Sequence, residues 1–158
     1  MDYSQIFGKD AFECFKNAKV VYMITYGKNG EIHSRPMTNF NDNPNNEIWF
    51  PSYRNTQKVK DIENSPKTLI LYPGKDKDKF YEIVGEAQLA DKREVDDKWV
   101  WWYLYWHPEM KEYFWFDKTS NHPERVIIDI KPKKVKILDK KDIAWVDDTY
   151  STLIPKKE

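Results

Sequence analysis

Cysteine is nearly absent: the 158 residues include one, Cys14. A single thiol forms neither an intrachain disulfide nor a thiolate zinc cluster, which suits a reducing, cytoplasmic setting. Within Ala-Phe-Glu-Cys-Phe it reads as a small core residue rather than a reactive one. Net charge is absent too, because Lys+Arg 26 balance Asp+Glu 26. A neutral chain has no long-range attraction for nucleic acid or an anionic membrane surface. No apolar run approaches the ~20 residues that span a bilayer. The opening MDYSQIFGKDAFECF lacks a basic segment followed by an apolar one, so no secretory signal is expected. The three histidines, His33, His107 and His122, show neither i,i+4 pairing nor a carboxylate box, and no metal site is expected. His107 reads as a helix-end residue, His122 as a loop residue, and His33 as a candidate pocket residue. No Gly-x-Ser-x-Gly elbow, Walker loop or Gly-x-Gly-x-x-Gly turn occurs.

What is present is aromatic and charged: 16% and 33% of the chain. Residues 8–18 place Ala11, Phe12, Phe15 and Ala18 on one helical stripe. KVVYMITY, residues 19–26, is a strand apolar on both faces, so both should be covered. Asn29-Gly30 then signals a hairpin, because both residues tolerate positive φ. The next strand, 31–39, carries His33, Arg35 and Met37 on one face. Pro36 inside it requires a free edge or a bulge. Residues 47–51 form a third strand that Pro51 should stop. Asn55 or Thr56 is placed to cap a helix running to about residue 64, with Val59 and Ile62 as its apolar side.

A fourth strand spans 68–72. A fifth, 80–90, alternates Tyr81, Ile83, Gly85, Ala87 and Leu89 with the more polar Glu82, Glu86 and Gln88. Asp91 and Glu94 open a helix ending at His107-Pro108. Its stripe is Val95, Trp99, Trp102 and Trp106, while Trp101 and Tyr105 fall off it. A helix apolar on two sides needs two partner surfaces, the second being another subunit or a ligand. After an irregular stretch, 109–122, two strands at 125–130 and 134–138 are expected around a Lys-Pro turn. The tail is polar, with Trp145 as its candidate anchor. This order predicts one domain, residues 1–158: a mainly β structure, a small antiparallel β-barrel with α-helical covers.

The polar groups converge on residues 31–66. Ser52, Arg54, Thr56 and Lys58 surround a helix N-terminus, whose open N–H groups and dipole favour an anion. Arg35 on the neighbouring strand is a candidate bidentate clamp. Taken by themselves, the same residues are better accounted for as a capped, solvated basic helix, since Lys and Arg are common on exposed helices.

VVYMITYGKNGEIHSRPM, EIWFPSYRNTQKVKDIENSP and FYEIVGEAQLADKREV, in that order, resemble the pyridoxamine 5′-phosphate oxidase-like, FMN-binding split-barrel superfamily, and within it the general stress protein 26-like branch. The resemblance covers roughly residues 10–140. It implies a split β-barrel of the FMN-binding type, assembled as a homodimer with two FMN molecules at the subunit interface. By the same resemblance Arg35, Pro36, Met37 and Thr38 lie along the flavin, Pro51 and Ser52 contact it, and Gln57 and Lys58 stand at its phosphate. The chain departs from the oxidases at Gln57, where they usually carry Arg, and near Asn39 and Phe40, where they carry Lys. Their C-terminal Arg-Leu-x-Pro is also missing, which argues against pyridoxamine phosphate as substrate. The expectation is an FMN-dependent oxidoreductase acting on an unknown small molecule, with no side chain standing out as acid or base. Two alternatives remain: an F420-dependent reductase on the same fold, and a non-catalytic flavin-binding or stress-related protein.

Overall fold

A computed structural model describes residues 2–110, 122–147 and 152–155, with side chains for 2–109 and 122–143. Most of the irregular stretch at 109–122, and the side chain of Trp145, lie outside the described residues. The elements are α1 (Lys9–Asn17), β1 (Val20–Tyr26), β2 (Ile32–Thr38), β3 (Ile48–Tyr53), α2 (Gln57–Asn64), β4 (Lys67–Pro73), β5 (Lys79–Leu89), α3 (Lys92–Trp106), β6 (Arg125–Asp139), β7 (Ile143–Asp147) and β8 (Thr152–Pro155). Strands β1–β6 form one antiparallel sheet in the order β2-β1-β4-β5-β6-β3, curled into a half-barrel, while β7 and β8 pair separately. The fold is mainly β with helical covers, as the strand spacing predicted.

The sheet is apolar on both faces because β1 is. Val21 and Met23 face a core built with Phe15, Ile48, Phe50, Ile70 and Ile128. Ile24 faces the other way, with Leu69 and Leu71. Helix α1 covers the first face through Ala11, Cys14 and Phe15, so Cys14 is the core residue expected. Burial also pushes its thiol pKa up, the opposite of an activated nucleophile. The β1–β2 hairpin turns through Asn29 and Gly30 at φ 62° and 77°, the left-handed conformations that Asn-Gly supplies.

Four expectations need correction. Pro51 does not end β3; Ser52 and Tyr53 continue it, paired with Val126 and Arg125. It is tolerated because β3 is an edge strand, where a missing N–H leaves no ladder bond unmade. The Lys-Pro pair does not turn the chain either, since β6 runs unbroken from Arg125 to Asp139. Pro132 pairs with Gly85 beyond the point where β3 ends opposite Ile130, and a bulge at Val84/Gly85 absorbs the irregularity. Glu82 is buried rather than half-exposed. Its face of the sheet carries Leu71 and Val84, and desolvation raises its carboxyl pKa against the pull of Lys136, Lys67 and Lys134. Finally, α3 buries Val95 and Trp99 but leaves Trp106 48% exposed, so its stripe fades in the last turn.

Two asparagines stand in for backbone. Asn41 donates to Trp49 O (3.0 Å) and accepts from Trp49 N (3.0 Å), pairing the free edge of β3 as a strand residue would. Asn39 donates to Phe15 O (2.8 Å) and Ala18 O (2.9 Å), closing the carbonyl end of α1.

A methyl group at Gly85 would stand 2.7 Å from Lys131 O, a backbone atom held in the ladder. Gly85→Ala is therefore expected to destabilise the protein by about 1–3 kcal/mol, the usual cost of overpacking. Urea denaturation of the two proteins measures the difference.

Candidate anion site at the open end of α2

Cross-strand pairing sets which side chains share a face. Met23 pairs with Arg35, Thr25 with His33 and Val21 with Met37, so His33, Arg35 and Met37 project from the core face of β2. On β3 the core face belongs to Ile48 and Phe50, and Ser52 continues it by alternation. The two edge strands of the curled sheet thus present Arg35 and Ser52 on its concave side. Pro36 and Thr38 lie on the opposite face of β2 and are exposed. A ligand could reach them together with Arg35 only along the outer edge of the strand.

Thr56 occupies the N-cap position of α2, but its hydroxyl donates to Tyr53 O (2.9 Å) instead of capping the helix. That bond closes the turn between the end of β3 at Tyr53 and the start of α2 at Gln57. The first bond into the helix runs from Lys60 N to Thr56 O, 3.2 Å. The N–H groups of Gln57, Lys58 and Val59 precede it and have no acceptor within the helix. No acidic residue occupies the first turn, which leaves the positive end of the dipole uncompensated.

Two cations adjoin this end. Burial lowers the Lys58 pKa, and the neighbouring Arg35 charge lowers it further. Arg35 is itself lowered by burial, against the opposing pull of Asp61. Lys58 has no ion-pair partner among the described residues. Ser52 is buried, and its hydroxyl is one of two buried side-chain polar atoms without a hydrogen-bond partner among the described residues. A buried unpaired hydroxyl costs about 1–3 kcal/mol. A partly desolvated cation pair, an open helix end and an unsatisfied hydroxyl together fit a phosphate.

Beneath this group lies Asp61, 1% exposed. Its Oδ2 accepts from Thr25 Oγ1 (2.7 Å) and stands 2.6 Å from His33 Nδ1. Its Oδ1 accepts from Gln57 Nε2 (2.8 Å), and Arg35 Nη2 is 3.9 Å from Oδ2. The Gln57 side chain is therefore bonded to Asp61. A cleft of about 570 Å³ between the 27–31 turn and α2 also borders Asp61, but Glu31 and Glu63 in its wall make it unsuited to an anion. Thr25 and Asp61 were not among the residues expected from sequence. Their signal was available: an aspartate between Val59 and Ile62 on the apolar side of α2, four residues after Gln57, and a threonine within an apolar strand.

Away from this site, α3 and β3 assemble an aromatic platform. Trp101 stacks on Tyr105 at 5.4 Å and meets Trp49 at 5.5 Å and Phe40 at 5.7 Å. Trp101 and Tyr105 are 46% and 53% exposed. Among the described residues, no helix is long and apolar enough to cross a membrane.

The family described as "Pyridoxamine 5′-phosphate oxidase like" matches residues 9–146, nearly the whole chain. The chain belongs to this family. It is 32% identical over 125 residues to general stress protein 26 of Bacillus subtilis (strain 168), covering 77% of this chain and 80% of that protein. The fold recurs in a putative pyridoxamine 5′-phosphate oxidase from Listeria innocua: TM-score 0.59, 21% identity, 80% of this chain and 93% of that one. It recurs in general stress protein 26 of Bacillus anthracis str. Sterne, with TM-score 0.56, 21% identity and coverage of 80% and 88%. A protein described as an F420 reductase shares it as well: TM-score 0.56, 13% identity, coverage of 78% and 94%. The split-barrel architecture of this pyridoxamine 5′-phosphate oxidase-like chain is thus the one its sequence motifs implied.

Burial alone would raise the Asp61 carboxyl. The hydrogen bonds from Gln57, Thr25 and His33 outweigh it and hold the pKa below its ordinary 3.8. A carboxylate lowered on folding stabilises the protein fully above its unfolded value, and that stability is lost as pH falls through the folded one. The gap between the urea midpoints of the wild type and Asp61→Asn should be full above the ordinary carboxylate pKa and shrink as the pH falls below it.

Proposed function

We propose that the chain is an FMN-binding oxidoreductase acting on an unknown small molecule, working as a cytoplasmic homodimer. The Arg35–Lys58 pair at the open end of α2, with the unsatisfied Ser52 hydroxyl on the strand that leads into that helix, carries this reading. Membership in a family whose proteins typically bind flavin supports it. Lys58, Ser52 and the first N–H groups of α2 would hold the phosphate as charge-assisted and backbone donors. Arg35 would direct its free N–H groups toward the phosphate or the ribityl chain. Pro36, Thr38 and Pro51 would meet the ring system from the edges of β2 and β3, and Met37 would back it. Bound there, FMN supplies hydride or electron transfer between two small molecules.

An exposed platform of Trp101, Tyr105 and Trp106 supports a second copy as the missing partner of α3. The F420 reading has the shared fold in its favour. The phosphate cradle serves either cofactor, so competition between FMN and F420 separates them.

Purified protein is expected to bind FMN, read as quenching of flavin fluorescence on titration. Lys58→Gln should weaken that binding about tenfold or more, the worth of one charge-assisted contact. A folded protein that takes up no flavin would sink the proposal.

A further inference from the structure

We infer that Asp61 is a positioning residue for the cofactor phosphate, acting through a Thr25 hydroxyl relay that sets the direction of the Arg35 guanidinium. The inference rests on the proposed FMN reading and assigns Asp61 and Thr25 a part in it.

Asp61 is 1% exposed and does not itself reach a ligand. Arg35 Nη1 donates to Thr25 Oγ1 (2.8 Å) and to Met23 O (3.2 Å). The Thr25 hydroxyl in turn donates its hydrogen bond to Asp61 Oδ2 (2.7 Å). With its hydrogen directed at Asp61, the Thr25 oxygen turns its lone pairs toward Arg35, so the carboxylate orients the hydroxyl and the hydroxyl holds the guanidinium. Asp61 also attracts Nη2 directly, at 3.9 Å. The two Nη1 bonds engage two of the five guanidinium N–H groups, and the Nη2 approach adds charge attraction without a hydrogen bond. The Nε–H and the Nη2 N–H beside it form the remaining fork, suited to phosphate oxygens.

Asp61 meanwhile ties Gln57, the first residue of α2, to the same point at 2.8 Å. The open helix end and the arginine therefore keep a common reference. An asparagine at position 61 offers one acceptor oxygen where the carboxylate serves Thr25, His33 and Gln57, and its amide hydrogens oppose their donors.

Riboflavin, which is FMN without the phosphate, separates positioning from mere support of the fold. The measurement is the ratio of riboflavin to FMN dissociation constants, from fluorescence titration of the whole protein. Wild type should prefer FMN. Asp61→Asn should shrink that preference about tenfold. Thr25→Val, close in shape and still β-branched, should shrink it in the same direction, while Thr25→Ser should restore it. The Thr25 pair decides the question if Asp61→Asn does not fold. A residue serving stability alone would lower the melting temperature and leave the ratio unchanged. Preserved FMN preference in Asp61→Asn or Thr25→Val overturns the positioning role and leaves the flavin reading intact. Equal affinity for FMN and riboflavin in the wild type overturns the phosphate reading, and this inference with it.

Discussion

One buried carboxylate sets the terms for the rest of the site. Removing an ionised aspartate from water is costly unless donors replace the lost hydration. Asp61 draws those donors from three elements: Thr25 on β1, His33 and Arg35 on β2, and Gln57 on α2. Its pKa stays low in spite of burial, so the donors more than make up for the missing water. The hairpin β1–β2 and the helix α2 are thereby held to one point. Cations from the hairpin and open N–H groups from the helix come together because an anion of the chain's own has already gathered them.

The half-barrel has two edge strands, β2 and β3, and the chain spends its special residues on them. Pro36 stands in β2 and Pro51 in β3, each where a missing N–H interrupts no ladder. Prolines there also discourage another strand from adding to the sheet. Asn41 satisfies part of the β3 edge with its side chain, and Asn39 fastens the end of β2 to α1. Curling the sheet turns the inner faces of these same edge strands, with Arg35 and Ser52, toward one concavity.

Much of this could be read before the fold was known, and the exceptions share a cause. The Asn29-Gly30 hairpin, the Asp91 cap (Glu94 N to Asp91 Oδ1, 2.9 Å) and the core side of α1 are local matters of φ, hydrogen bonding and periodicity. Pro51 and Pro132 misled because their cost depends on whether a neighbouring strand lies alongside, which is a property of sheet order. Glu82 misled because alternation assigns a face without saying whether that face is covered. At the site, Arg35, Ser52 and Lys58 were legible from their types and from the helix start between them. Asp61 was not, because a carboxylate beside lysines on a short helix also describes a solvated surface. Only the register of β1 with β2 puts Thr25 and His33 beside it.

The aromatic helix is better understood from β3. Trp49 and Tyr53 lie on one face of that strand, Tyr53 meeting Trp99 at 5.5 Å and Trp49 meeting Trp101 at 5.5 Å. Ile48, Phe50 and Ser52 alternate onto the other face. The strand therefore separates the α3 platform from the Ser52 side of the sheet within one chain. Rings on that platform cannot line the concavity that holds Arg35 and Ser52 without passing around the β3 edge. Ser52 on one face of β3 and the exposed indoles beyond the other are thereby held apart within one chain.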